Sequence, residues 1–61
     1  MKLKFNIKQD YIDAVRYLNM TDHTVYPAIH PSGLAIIVEP DDIYVDYVIA
    51  VWDAEQCNNT I

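Results

Sequence analysis

Cysteine, glycine and basic residues are scarce in this 61-residue chain, and each scarcity excludes a class of protein. The single cysteine, Cys57, excludes a fold held by disulfides, which needs cysteines in pairs. The single glycine, Gly33, excludes a glycine-rich phosphate-binding loop. The longest apolar runs, 34–38 and 47–52, fall far short of the roughly 20 residues of a membrane-spanning helix. Because lysines interrupt the first eight residues, we expect no signal peptide, no membrane partner and a cytoplasmic protein.

The hydrophobic content is high for so small a chain. At 52% it exceeds that of a disordered segment, so we expect one small folded domain over 1–61, with 58–61 as a frayed tail. A domain of this size buries only about 60% of the surface that its unfolded chain exposes. Its core therefore cannot enclose all of the large apolar side chains, which include Trp52, Phe5 and five tyrosines. We predict that another chain covers part of them, either a second copy in a homodimer or a different protein.

Charge is distributed unevenly along the chain. The four basic residues all lie in the first 16 positions: Lys2, Lys4, Lys8 and Arg16. Residues 1–20 carry four positive and two negative charges, or +2, and residues 21–61 carry seven negative charges and no positive one, which together make the net charge of −5. Most of the surface should therefore repel nucleic acid and anionic lipid, and attract a basic protein surface.

The first twenty residues predict a strand followed by a helix. Apolar and polar residues alternate over 2–8, with lysines on the polar face, which predicts a half-buried strand at a sheet edge. Apolar residues recur at helical spacing over 10–19, where Asp10 is the predicted N-cap and Tyr17 is predicted to face outward.

A β-hairpin is predicted next. Apolar segments at 25–29 and 34–39 flank the sequence His-Pro-Ser-Gly at 30–33, which fits a type I turn closed by a left-handed Gly33. Pro27 has no N–H to donate, so the first of these strands should lie at an edge. The second strand is continuously apolar, which is typical of a central strand.

Residues 41–56 allow two interpretations. Their β-branched residues favour a strand over 43–52. Helical periodicity instead gathers Asp42, Asp46 and Asp53 on one solvent-facing stripe, opposite the large apolar side chains. We favour the helix. The predicted fold class is then α+β, in the order β-α-β-β-α, with a three-stranded antiparallel sheet in which the first strand pairs with the third; the alternative is a mostly β domain.

Few residues of the sequence are suited to catalysis or metal binding. His23 and His30 flank a predicted strand and are seven residues apart, which spans about 23 Å in extended chain. We therefore expect exposed turn histidines and no metal site. Ser32 is close to His30 in sequence but lacks the context of a catalytic serine. A chain of this length can hardly form the concave pocket that carboxylate catalysis needs. We therefore expect no enzyme and no cofactor.

The acidic stripe points instead to a protein partner. Asp42 and Asp46 would lie about 6 Å apart along the helix axis, with Asp53 about 10 Å further on, and such a row can imitate phosphates. The predicted partner-binding residues are the acids and aromatics of this region: Glu39, Asp41, Asp42, Asp46, Asp53, Tyr44, Tyr47 and Trp52. Small acidic proteins, viral ones included, inhibit nucleic-acid-handling enzymes, and the analogy rests on size and charge alone.

We therefore expect a non-enzymatic inhibitor or modulator that binds a basic, nucleic-acid-handling surface of a larger intracellular protein. Two alternatives remain. The chain could be a self-associating structural subunit, as a homodimer or a higher oligomer. It could also be a small nucleic-acid binder that uses the strand face carrying Lys2, Lys4 and Lys8, although the charge of the rest argues against nucleic acid.

Overall fold

The computed structural model describes residues 1–57, in which two helices pack on one face of a four-stranded sheet. The elements in chain order are β1 (Lys2–Lys4), α1 (Lys8–Met20), β2 (Thr24–Pro27), β3 (Ala35–Glu39), α2 (Ile43–Trp52) and β4 (Glu55–Cys57). The strand order is β2-β3-β1-β4, and all neighbours are antiparallel. The predicted α+β class is confirmed, and the predicted tail at 58–61 lies outside the described residues. Within 1–57 no helix is both long enough and apolar enough to cross a membrane.

The predicted pairing of the first and third strands is confirmed, with Leu3 opposite Ile36. Pro27 lies in the edge strand β2, and β3 is central, as predicted. Two predictions about the sheet were wrong. Over residues 1–57 it has four strands rather than three, and β1 is internal because β4 pairs with its other side, with Lys2 opposite Cys57.

The fourth strand exists because α2 ends earlier than predicted. The helix stops at Trp52, and Asp53 follows in the left-handed conformation, with φ 53° and ψ 41°. That conformation turns the chain back, so that residues 55–57 pair with β1 instead of extending the helix to residue 56. The alternative of a strand over 43–52 was wrong as well.

Capping and packing together explain why α2 is helical despite its β-branched residues. Asp42 is the N-cap, and its Oδ1 accepts a hydrogen bond from the backbone N–H of Tyr44 at 3.0 Å. Val45 and Val48 lie three residues apart and are both fully buried. Helical spacing places them on one face toward the core, and this burial outweighs the preference of valine for strands.

One buried cluster joins both helices to the same face of the sheet. Its members are Leu3, Phe5, Ala14, Leu18, Ile36, Val38, Val45, Val48 and Ala54. Side chains alternate along a strand, so Ile37 and Glu39, the neighbours of buried Val38, lie on the opposite face with Lys2 and Lys4. The sheet therefore has a face covered by helices and a face without them.

Helix α1 differs from the prediction at its start and on one face. It begins at Lys8 rather than after Asp10, and its N-cap, Ile7, makes no side-chain capping bond. Asp10 lies in the first turn, where a negative charge favours the helix dipole. Tyr17 was predicted to face outward, but it is half-buried and packs against the core.

The turn between β2 and β3 forms as predicted. The backbone N–H of Gly33 donates to the carbonyl of His30 at 2.9 Å, and Gly33 has a positive φ of 75°. His30 stabilises the turn, because its Nδ1 accepts a hydrogen bond from the backbone N–H of Ser32 at 3.1 Å.

Replacing Gly33 with valine is expected to lower the free energy of unfolding by about 1 kcal/mol or more. A Cβ atom at this position would meet no atom within 4 Å, so the loss reflects the backbone conformation and not a clash. Urea denaturation measures it. Gly33→Asn is the matched control, because asparagine tolerates a left-handed backbone. Equal unfolding midpoints for the two variants would contradict the explanation.

Candidate protein-interaction surface

The outward side of α2 is apolar, which is unusual for a helix in water. The exposed fractions are 74% for Ile43, 43% for Tyr44, 50% for Tyr47 and 50% for Val51. Ile43, Tyr47 and Val51 follow one another at intervals of four residues, and Tyr44 lies three residues before Tyr47. Helical spacing therefore places all four along one side of α2, next to the buried side that carries Val45 and Val48. We call these four residues the α2 surface. Contiguous exposed apolar side chains of this kind mark sites of protein interaction.

Tyr17 of α1 supports this surface from the side. Its ring centroid lies 5.1 Å from that of Tyr47, 6.5 Å from Tyr44 and 5.6 Å from Trp52. Tyr47 and Trp52 also meet nearly perpendicularly, 6.1 Å apart. Rings held by such contacts lose little conformational freedom when a partner binds, so the surface is largely preorganised.

Sequence reasoning missed Tyr17, although a signal for it was present. Tyr17 lies three residues after Ala14, which is buried, so it extends the buried side of α1 toward α2. Burial raises the pKa of the Tyr17 hydroxyl, and nearby Tyr47, Tyr44 and Asp42 raise it further. Tyr17 therefore remains an uncharged phenol at neutral pH and can pack among the other rings.

The predicted partner-binding acids do not form one row. Asp46 is exposed on α2, and exposed Asp41 and Asp53 lie just outside its two ends. The predicted row on one helix face was wrong, because Asp53 follows the end of the helix and Asp42 turns toward His23. Glu39 lies on the sheet face that the helices do not cover.

Tyr44 and Tyr47, two of the predicted partner-binding residues, are part of the α2 surface. Trp52 is half-buried beneath it and contacts the core. No lysine or arginine occurs after Arg16, so the chain around α2 contributes only negative side-chain charges at neutral pH, apart from histidine. Exposed aromatic side chains and the exposed acids Asp41, Asp46 and Asp53 thus occur together on α2 and at its ends, while exposed Arg16 lies on the neighbouring helix α1.

His23 was predicted to be an exposed turn residue, and this was wrong. It is only 8% exposed, and its Nε2 lies 2.9 Å and 3.1 Å from the two carboxylate oxygens of Asp42. The hydrogen bond with His23 is the main cause that holds the pKa of Asp42 below its usual range; burial opposes it, and the N–H of Tyr44 assists. The pair ties the segment after α1 to the N-terminus of α2.

The predicted lysine strip is divided between two elements. Lys2 and Lys4 lie on the helix-free face of the sheet, but Lys8 is the first residue of α1. The Nζ of Lys2 donates to the carbonyl of Ile29 at 2.9 Å, and the Nζ of Lys4 forms an ion pair with Glu55 at 3.0 Å. The Lys4 ammonium lowers the pKa of the Glu55 carboxyl. A continuous basic strip on a single strand was therefore a wrong prediction.

The groups considered for catalysis serve the hairpin. Ser32 Oγ lies 2.9 Å from His30 Nδ1 and accepts a hydrogen bond from the N–H of Leu34 at 3.2 Å. Within residues 1–57, no three His, Cys, Asp or Glu side chains are placed to hold a metal ion.

Comparison of the chain with protein-family models, with curated proteins and with solved structures finds no match.

Proposed function

We propose that this protein is a non-enzymatic interaction module that binds a basic surface of a larger protein in the cytoplasm through its α2 surface. The observation that carries the proposal is the exposed aromatic stripe, in which Tyr44 and Tyr47 are about half accessible beside the acidic Asp46. Its most concrete form is an inhibitor or modulator of a nucleic-acid-handling protein, whose lysines and arginines would meet these acids.

The arrangement has the composition of a binding interface. Interfaces concentrate their energy in a few buried aromatic residues, surrounded by a polar rim that stays partly in water. Tyr47 lies at the middle of the stripe, between Ile43 and Val51, and is supported from below by Tyr17. Asp41, Asp46 and Asp53 are exposed around it, where charges affect the rate of encounter more than the energy of the final contact.

The charge around α2 indicates that the α2 surface binds a different protein rather than a second copy of this chain. A two-fold dimer through the α2 surface would place the same exposed acids on both sides of the interface. Residues 17–61 contain no lysine or arginine to neutralise it. A homodimer remains the second candidate, favoured by the amount of exposed apolar surface on α2. Sedimentation of the isolated protein at micromolar concentration separates the two.

Reversing the charge of Asp46 tests the proposal. Host proteins retained by the immobilised chain are identified, and a purified partner is then used to measure association rates against ionic strength. Asp46→Lys is expected to slow association by about tenfold or more at low salt and to weaken its salt dependence. Because Asp46 is exposed, the variant should fold normally.

Glu39→Lys is the matched control, since it makes the same charge change on the helix-free face of the sheet. It should slow association much less than Asp46→Lys. Equal rates for both variants would show that only net charge acts, and the α2 surface would lose its role. A stable homodimer through α2 that excludes every other protein would establish the second candidate instead.

A further inference from the structure

The strongest feature outside the exposed stripe is a chain of hydrogen bonds through one buried histidine. His23 Nδ1 lies 2.9 Å from Thr21 Oγ1, and His23 Nε2 lies 2.9 Å from Asp42 Oδ1. The Thr21 hydroxyl also lies within hydrogen-bond distance of the carbonyls of Tyr17 and Leu18, at 3.1 Å and 3.2 Å. His23 is the buried polar residue among 1–57, so both of its ring nitrogens depend on these partners.

The Thr21 hydroxyl can form a hydrogen bond with Nδ1 of His23 in either protonation state of the ring. When both ring nitrogens carry protons, Nδ1 donates to the Thr21 oxygen, and the hydroxyl proton turns toward a carbonyl. When Nδ1 has no proton, the hydroxyl donates to it instead. Both carbonyls keep a hydrogen bond when the hydroxyl turns away. The backbone N–H of Thr21 donates to the carbonyl of Tyr17, and the backbone N–H of His23 donates to the carbonyl of Leu18. In both states Nε2 donates to Asp42, provided that Asp42 is ionised.

The same carboxylate also holds the first turn of α2. Asp42 Oδ1 accepts from the N–H of Tyr44, and the ring of Tyr44 lies edge-on to that of His23, with centroids 5.7 Å apart. Tyr44 is part of the α2 surface. A change at Asp42 therefore reaches that surface directly, through one hydrogen bond and one ring contact.

Among the titratable groups around His23 and Asp42, the carboxylate of Asp42 is the one whose protonation breaks the contact between them. The rings of Tyr17 from α1 and Tyr44 from α2 lie beside the pair, and the raised pKa of Tyr17 keeps its hydroxyl uncharged at neutral pH and below. Asp22 and Asp41 are sequence neighbours of the pair and are exposed to water, and Asp46 lies one turn further along α2. Protonation of Asp42 would leave His23 as a buried cation facing a neutral acid, which costs free energy.

We propose that Thr21, His23 and Asp42 form an acid-released latch that holds the first turn of α2 and the side chain of Tyr44. The latch stays closed whether His23 carries one ring proton or two, and it opens when Asp42 is protonated. Its effect on partner binding rests on the proposed function, whereas the latch itself is a property of the free protein. Opening would displace Tyr44 and so weaken the α2 surface in acid.

Nuclear magnetic resonance of the full, partner-free chain tests the latch. The His23 ring, the Asp42 carboxyl and the Tyr44 ring are followed from alkaline to acidic pH, and amide protection factors are measured at Tyr44 and Leu3. We expect Tyr44 to keep its environment whether His23 carries one ring proton or two, and its amide to lose protection about tenfold or more as Asp42 is protonated. Leu3, in the internal strand β1, should keep its protection at that point.

Asp42→Asn supplies the matched variant, because asparagine can still cap α2 but carries no charge. Its amide oxygen can still accept from the N–H of Tyr44 and from Nε2 of a neutral His23, so its Tyr44 resonances at neutral pH should resemble those of the wild type. In acid a doubly protonated His23 would face a neutral amide, so Tyr44 should lose protection at a higher pH than in the wild type. If this variant does not fold, the wild-type titration decides alone. In the wild type, a Tyr44 environment that follows His23 rather than Asp42 would overturn the latch, as would simultaneous loss of protection at Tyr44 and Leu3. Neither result depends on whether a partner binds.

Discussion

Replacement of Phe5 with alanine is expected to leave the chain largely unfolded at room temperature. Phe5 is the largest fully buried side chain among residues 1–57, and its ring meets that of Tyr11 edge-on, with ring centroids 6.0 Å apart. Truncating a buried phenylalanine costs about 3–5 kcal/mol, because apolar contacts are lost and a cavity is left. A domain of this size has little reserve, since even larger domains are stable by only about 5–15 kcal/mol. Far-ultraviolet circular dichroism and urea unfolding measure the loss.

Ile43→Ala is the control for this experiment. Ile43 is 74% exposed, so its truncation should change the free energy of unfolding by no more than about 0.5 kcal/mol. If Phe5→Ala unfolded at nearly the same urea concentration as the wild type, the core would have to lie elsewhere. The packing of both helices on one sheet face would then be in error.

Truncation of Tyr47 to alanine should have the largest effect on partner binding. A central aromatic residue of an interface typically contributes about 2–4 kcal/mol, which corresponds to binding about 30-fold to 1,000-fold weaker. Tyr47 is 50% exposed, so the cost to folding should be much smaller than that of Phe5→Ala. Titration calorimetry with the purified partner gives the affinity, and urea unfolding gives the stability of the same variant.

Tyr26→Ala is the matched control for Tyr47→Ala, because the two tyrosines are almost equally exposed. Tyr26 is 51% exposed and lies in the edge strand β2, in register with Ile37 on the helix-free side of the sheet. It should bind the partner as the wild type does. Equal losses of affinity for the two tyrosine variants, or a loss confined to Tyr26, would move the binding site away from α2.

Half of the candidate surface could be predicted from the sequence. Helical spacing places Tyr44 and Tyr47 on one side of α2, away from the acids. Their partial exposure is decided by packing, because α1 contacts that side through Tyr17 and leaves each of the two tyrosines about half accessible. Tyr17 belongs to another helix, and only the packing of α1 on α2 brings its ring to 5.1 Å from that of Tyr47. The prediction of a row of carboxylates on α2 was wrong, because the charge pattern of the sequence does not reveal that Asp42 contacts His23.

The sequence by itself determined the features whose causes are local. Gly33 closes the turn because few other residues adopt its positive φ, and Pro27 lies at an edge because it cannot donate to a neighbouring strand. The α+β class follows from the same kind of evidence, since alternating and helical patterns are set by spacing within a few residues.

Only the tertiary structure decided the fourth strand and the burial of His23. Residues 55–57 resemble the end of a helix by propensity, and they become a strand because Asp53 turns the chain toward the open edge of β1. His23 is buried because Asp42, 19 residues later, offers it a carboxylate. Both outcomes rest on contacts between distant segments, whose pairing energy exceeds local preference and becomes available only when the chain has folded.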